Sequence, residues 1–392
     1  MGALQALFRR HGPGYLARYG ETMPGHQKKV LHALMACRSP SNGSTCYHCE
    51  ACDKPHVLAR CCGNRHCPAC QQHKSYAWLT RQLAQQLPTP YFMLTFTVPE
   101  SLRAFLRSHQ RVGYAALFEA SCESIKTLCA NPKFSPADTP GFPRCAAHLG
   151  TPPKVGASRR LQFHPHIHYL VPGGTFSSED SAWHAARTGF YLPVHALSKI
   201  FRAKFRDVIA QAGLLDQVPP EAWAVDWNVN AQAVGEAGNS LKYLARYVFK
   251  VAISESRITS VDDTHVCFTY RKVHSNRVRT MRLPIFAFLH RFLQHVLPTG
   301  FMKVRYFGFL SRSFGMPFEQ IKARIELAQG FNLRPPAVIE VPKAQPLRCA
   351  HCGAKLRYRC TILPHAALRQ RIGTLFAHTA ALAMTQALNA GP

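Results

Sequence analysis

The sequence predicts an α+β protein with a mostly antiparallel sheet and a small cysteine-rich module near its N-terminus. Three observations predict it. Short runs with period-two alternation are interleaved irregularly with helical stretches, unlike the regular strand–helix repeat of a doubly wound sheet. The 15 cysteines are clustered, eight between Cys37 and Cys70 and three between Cys349 and Cys360. Hydrophobic residues make up 47% of the 392-residue chain, enough for a real core, which excludes wholesale disorder despite 28 Pro and 24 Gly.

Four segments follow in order. Residues 1–36 read as a basic helical extension. Residues 37–72 are the cysteine module, and a polar helix over 74–86 closes that domain at 86, where Pro88 and Pro90 end it. Residues 87–330 form the main domain. In it, Tyr91–Val98 is a strand with Phe92, Leu94, Phe96 and Val98 on one face and Thr95 and Thr97 on the other. A long helical stretch covers 101–129, and the Pro- and Gly-rich 131–160 reads as a surface loop. Leu161–Val171 is the next strand, helices fill 181–213, Val225–Asn230 alternates as a strand, and a helix covers 240–253. A hairpin pairs 265–272 with 277–283 around His274-Ser275-Asn276, and a helix follows at 285–296. Residues 331–392 form a tail.

Charge narrows the partners. Lys and Arg number 48 against 20 Asp and Glu, a formal net charge of +28, and a chain this basic has nucleic acid as its default partner. No apolar run reaches the roughly 18 residues that a membrane span needs, and the start has no signal-peptide pattern. From Thr264 to Phe318 there is no acidic residue, against nine basic ones. Arg271, Lys272, Arg277, Arg279 and Arg282 fall in the hairpin and suit a track for a DNA backbone, with Arg246 and Lys250 beside it in sequence. A solvated basic face is the plain alternative.

Cysteine spacing points to metal. Cys49-x-x-Cys52 and Cys67-x-x-Cys70 are separated by 14 residues, and two such knuckles suit one tetrahedral zinc. Cys46, Cys61, Cys62, His56 and His66 are surplus donors, so a second ion has ligands to draw on. Small buried cysteines are the alternative reading. In the tail, Cys349-Ala-His-Cys352 with Cys360 looks like half of a second zinc site, and its fourth ligand is open between His351 and His365.

Two further constellations carry chemistry. On the strand 161–171, Gln162, His164, His166 and His168 alternate onto one face, and three imidazoles on one strand face make a platform for a divalent ion. On the helix, Leu241, Leu244, Ala245 and Val248 occupy the buried stripe, which leaves Tyr243 and Tyr247 together on another face. A metal on a strand with paired tyrosines suggests covalent phosphoryl transfer on DNA, with tyrosinate as nucleophile and Arg246 or Lys250 offsetting developing charge.

At these residues the sequence resembles the two-tyrosine HUH transposases of rolling-circle insertion sequences. The match lies in Cys62–Cys70, His164–Gly174, Tyr243–Ser254, and Arg291–Pro298 with Tyr306–Leu310, in family order over about 30–330. The resemblance implies an N-terminal zinc-binding domain and a ferredoxin-like HUH sheet. It also implies His166 and His168 as ligands for magnesium or manganese, Tyr243 and Tyr247 as nucleophiles on single-stranded element ends, and a bacterial cytoplasmic setting. His164 is the candidate third ligand. The weaker alternatives are a plasmid relaxase or replication initiator of the same chemistry, a non-catalytic zinc protein that binds nucleic acid, and a zinc hydrolase. The last has no Asp or Glu beside the histidines to act as base.

Overall fold

A computed structural model describes residues 2–134, 141–142, 145–150, 161–177, 182–187, 189–235, 252–271, 277–310, 316–330 and 346–364. In chain order its helices are α1 (Ala3–Tyr19), α2 (Gly25–Ala36), α3 (Gln72–Ala84), α4 (Leu102–Ser108), α5 (Gln110–Cys129), α6 (Val194–Gln211), α7 (Glu221–Ala224), α8 (Ile285–Leu293) and α9 (Phe318–Ala328). The strands are β1 (Ser44–Cys49), β2 (Lys54–Ala59), β3 (Tyr91–Thr97), β4 (Gly141–Phe142), β5 (Cys145–Gly150), β6 (His166–Pro172), β7 (Gly174–Ser177) and β8 (Trp183–Ala185). They continue with β9 (Asn228–Gly235), β10 (Ile258–Val261), β11 (His265–Arg271), β12 (Val278–Pro284), β13 (Val304–Phe307) and β14 (Arg357–Ile362). None of the described helices is long and apolar enough to cross a membrane. The architecture is α+β with antiparallel sheets.

The chain divides into two units. The first joins residues 1–71 to 342–392, of which 346–364 are described. Here α1 and α2 bury Leu4, Leu7, Phe8, Leu31 and Leu34, and β14 pairs with β1 in a three-stranded sheet of order β14-β1-β2. The reason is plain in the burial: within 38–70 the only buried hydrophobic residues are Cys49 and Cys67, while Val57 and Leu58 face solvent. Such a segment cannot be held by apolar packing.

The second unit, 72–341, is built on a five-stranded antiparallel sheet of order β13-β5-β6-β3-β9. One face is apolar. Phe92, Leu94 and Phe96 of β3 and Ile167, Tyr169 and Val171 of β6 meet the i, i+4 stripe Leu197, Phe201, Phe205 and Ile209 of α6, together with Leu117 and Phe118 of α5. The Tyr169 hydroxyl is satisfied there by Ser121 Oγ at 2.7 Å. The other face changes character along its length. At one end Tyr91 and Leu170 join a second apolar cluster with Phe176, Trp183, Phe309, Ile321 and Ile325. At the other end register brings Asn228 and Asn230, Thr97 and Thr95, and His166 and His168 side by side.

Several local expectations change. The stretch 131–160 is not simply a loop: its described part includes β4 and β5, and β5 lies directly beside the histidine strand. The small and basic composition of 141–150 conceals a strand because its neighbours, not its side chains, supply the pairing. The region 181–213 holds β8 before its helix, and β6 begins only at His166, with 161–165 irregular. The Val225–Asn230 strand lies later, at Asn228–Gly235, because Trp227 is taken into the core. The strand β13 carried no sequence signal. Residues 240–251 of the expected tyrosine helix and the turn at 274–276 lie outside the described residues.

Candidate metal centres

The histidine strand is the middle strand of five. His166 and His168 share its polar face, and their Nε2 atoms lie 3.0 Å apart. Two imidazole nitrogens at about 2.1 Å from one ion, at right angles, stand about 3.0 Å apart, so the pair has the geometry of a cis ligand pair. The outer nitrogens are already engaged: His166 Nδ1 with the His164 carbonyl at 3.0 Å, and His168 Nδ1 with Thr95 Oγ1 at 2.9 Å. With Nδ1–H donating in each ring, each Nε2 keeps its lone pair, and the two nitrogens face each other across 3.0 Å. Burial holds both rings neutral: His168 is pushed down to about 4, and His166 well below the ordinary histidine value, with the neighbouring His168 adding to the effect. A neutral imidazole is the form that binds metal.

His164 does not join them, which corrects its place as third ligand. Its Nδ1 accepts from Arg103 at 2.9 Å, and Arg103 is itself held by Glu100. Burial first, then the Arg103 charge, lowers His164 to about 4. The proton therefore sits on Nε2, leaving no lone pair there for an ion. Because the chain is irregular before His166, the alternation that would align three rings stops at two. Gln162 is exposed. Thr95 and Arg103 were missed by sequence reasoning; for Thr95 the signal was its place on the polar face of β3.

The cysteines gather in two sets of four, and the grouping differs from the expected one. Cys37, Cys62, Cys67 and Cys70 form one set, and Cys49, Cys52, Cys349 and Cys352 the other. Thus the two N-terminal knuckles belong to different sets, each completed from elsewhere. Cys37, missed by sequence reasoning because it has no C-x-x-C partner, arrives at the end of α2. Arg9 of α1 donates to the carbonyls of Met35, Cys37 and Arg38 and fixes that turn. Asn42 holds the opposite loop through the Arg60 and Cys61 carbonyls. The sulfur separations are 3.6 Å for Cys37–Cys70, 3.6 Å for Cys37–Cys67 and 3.7 Å for Cys62–Cys70. A tetrahedral zinc with bonds of about 2.3 Å has sulfur–sulfur edges of about 3.8 Å, so these thiols fit the ion. Cys360 lies in neither set; it stands opposite Cys46 across β14 and β1.

Tyr243, Tyr247, Arg246 and Lys250 lie outside the described residues, as does Lys272, and nothing is described of the Arg271 side chain. Arg277, Arg279 and Arg282 are exposed, but they do not share a face. Arg279 lies on the side of β12 that carries buried Leu283, whereas Arg282 lies on the other and pairs with Asp262 at 3.4 Å. The acid-free run thus begins one turn too late to exclude the acid that matters in space.

Sheet, histidine pair and thiol clusters together suit a nucleic-acid enzyme with a zinc-binding module, and comparison with known proteins places the chain accordingly. Residues 157–316 match the family model described as "Putative transposase", and residues 7–98 match that described as "Transposase zinc-binding domain". The chain belongs to this family, the two-tyrosine HUH insertion-sequence transposases of the IS91 type. It is 32% identical to "Putative transposase y4qJ" of Sinorhizobium fredii over 358 residues, 86% of each chain. It is 27% identical to "Transposase for insertion sequence element IS801" of Pseudomonas savastanoi pv. phaseolicola over 366 residues, 85% of this chain and 83% of the relative. No solved structure matches. The protein is a transposase, with DNA as its partner and a zinc-binding domain in its N-terminal part.

Proposed function

We propose that this transposase nicks and rejoins single-stranded DNA at insertion-sequence ends through a 5′-phosphotyrosine intermediate, on an HUH-type sheet. The observation that carries the reading is the pair of His166 and His168 Nε2 atoms, 3.0 Å apart on the central strand, each ring oriented through its other nitrogen. The pair would hold magnesium or manganese, which supplies Lewis-acid polarisation of the scissile phosphate. The fit lies in the donor set: two neutral nitrogens in a polar belt with Asn228, Asn230, Thr95 and Thr97, leaving positions for water and phosphate oxygen.

Tyr243 or Tyr247 attacks phosphorus through its phenolate oxygen. The P–O3′ bond breaks, the 3′ oxygen leaves as a hydroxyl after taking a proton, and the 5′ phosphate remains on tyrosine. Rejoining reverses the step, with a 3′ hydroxyl as nucleophile and tyrosine as leaving group. Two tyrosines let two strand ends be held in turn. Arg246 and Lys250, from the same stretch, offset charge at the phosphate, and Arg277 and Arg279 contact the backbone of the strand. In the zinc-binding domain, Cys37, Cys62, Cys67 and Cys70 hold the structural ion. The reaction takes place on cellular DNA, in the cytoplasm.

The test is incubation of the full chain with labelled single-stranded element ends and manganese. A detergent-stable protein–DNA adduct is expected, absent in the Tyr243→Phe/Tyr247→Phe double variant and in His166→Ala. An adduct that survives both tyrosine changes, or none with the native chain, overturns the reading.

A further inference from the structure

Besides the histidine centre and the Cys37, Cys62, Cys67 and Cys70 set, the described residues hold a second cluster of four thiols, and half of it lies far beyond the matched zinc-binding domain of residues 7–98. Cys49 Sγ is 3.4 Å from Cys352 Sγ, and Cys52 Sγ is 3.6 Å from Cys349 Sγ; all four sulfurs lie within 4.8 Å of one another. We infer that Cys49, Cys52, Cys349 and Cys352 bind a second structural zinc, closed by the C-terminal tail across some three hundred residues of chain. This inference stands independently of the tyrosine chemistry.

The local backbone is built for it. Each C-x-x-C is followed by a residue with left-handed backbone, Asp53 at φ 54 and Gly353 at φ 73, so the two knuckles turn alike. In the tail knuckle, Gly353 N–H donates to the Cys349 carbonyl at 2.9 Å and Cys349 N–H to the Ala354 carbonyl at 2.8 Å, a tight turn that sets both thiols on one side. His351 N–H points at Cys349 Sγ at 3.4 Å, and His56 Nε2 approaches the same sulfur at 3.2 Å. Such donors offset the charge that four thiolates bring to a divalent ion. An all-sulfur tetrahedron selects zinc over hard ions such as magnesium.

The alternative is that four thiols are simply packed together. Against it stands the poor apolar setting among the described residues: only Cys49, Cys349 and Leu356 are buried there, with Tyr47, Cys52 and Ala354 partly covering them, and Cys352 is exposed. Small apolar cysteines would not order so exposed a cluster. Among the described residues the tail is also tied to β1 by the β1–β14 ladder, an edge contact between Tyr47 and Tyr358 at 6.0 Å, and the exposed Glu50–Arg357 pair, none of which orders the thiols themselves.

Metal analysis of the purified full chain tests the proposal. Two zinc ions per chain are expected, falling to one in Cys349→Ser/Cys352→Ser and staying at two in Cys360→Ser. Because the serine variant could misfold, Cys352→His is the second arm: it keeps the ion. In the cobalt-substituted chain it changes the absorption of the second site from four sulfurs to three sulfurs and one nitrogen, whereas Cys360→His leaves the spectrum alone. One zinc per native chain, two retained in the double serine variant, or a cobalt spectrum indifferent to Cys352→His would each overturn it. Adduct formation by the native chain is scored in parallel, so failure of the second zinc is separable from failure of the nicking chemistry.

Discussion

At the scale of single residues, the histidine centre depends on groups that never touch the ion. Thr95 fixes the His168 ring through Nδ1, and Thr95→Val keeps the shape while leaving that nitrogen unpaired. Loss of such an outer partner weakens metal binding by about 10- to 100-fold. Manganese titration of the Thr95→Val chain is expected to show that drop with little change in thermal stability; unchanged affinity would remove Thr95 from the site. Much of this centre was legible in the sequence. The alternation of His166 and His168, and of Thr95 opposite Phe96, places them on polar faces whatever their neighbours. That β3 lies next to β6, and so puts Thr95 beside His168, is a pairing between residues 73 positions apart. The same limit hid Arg103, whose engagement of His164 takes that ring out of the ligand set.

At the scale of elements, two segments gain a measurable role. His295, just past α8, is half-buried with its Nδ1 unpartnered among the described residues, and desolvation pushes it down to about 4. Unfolded, it would protonate near 6.5, so the unfolded chain binds the extra proton between those values. Stability from this group is therefore complete above pH 6.5 and is lost as pH falls toward 4. The urea midpoint of His295→Phe should fall less steeply over that window than that of the native chain; identical slopes would count against it. On β12, Arg279 has no acid among its described ion pairs, whereas Arg282 is paired with Asp262. Arg279→Ala is thus expected to lower the salt slope of single-stranded DNA binding by about 1, and Arg282→Ala by less. Equal slopes in the two variants would refute the distinction. The sequence places both arginines on one strand, but which acid neutralises which arginine depends on how β10 and β11 fold back beside it.

At the scale of the whole molecule, the two units are stabilised by different physics. The second has an aromatic core in which Phe96, Phe201, Phe205 and Trp227 pack ring to ring at 5.0–6.5 Å. The first has an apolar α1–α2 pair, but its segment between residues 38 and 70 buries almost nothing apolar and relies on its thiols. Treatment with a strong zinc chelator is accordingly expected to abolish the unfolding transition of the first unit in calorimetry and leave that of the second in place. Loss of both transitions together would contradict that division. What the sequence determined by itself was local: the α+β character, the alternation that sets His166 and His168 against a hydrophobic face, the C-x-x-C turns, and the excess of positive charge. These follow from side-chain periodicity and turn geometry within a few residues. What the tertiary structure alone decided was partnership. Cys37 joins Cys62, Cys67 and Cys70, Cys49 and Cys52 join a tail some three hundred residues away, and β5 completes the sheet beside the histidines. A ligand set or a strand order is a property of distances in space, and a knuckle with two free coordination positions carries no mark of which distant pair will fill them.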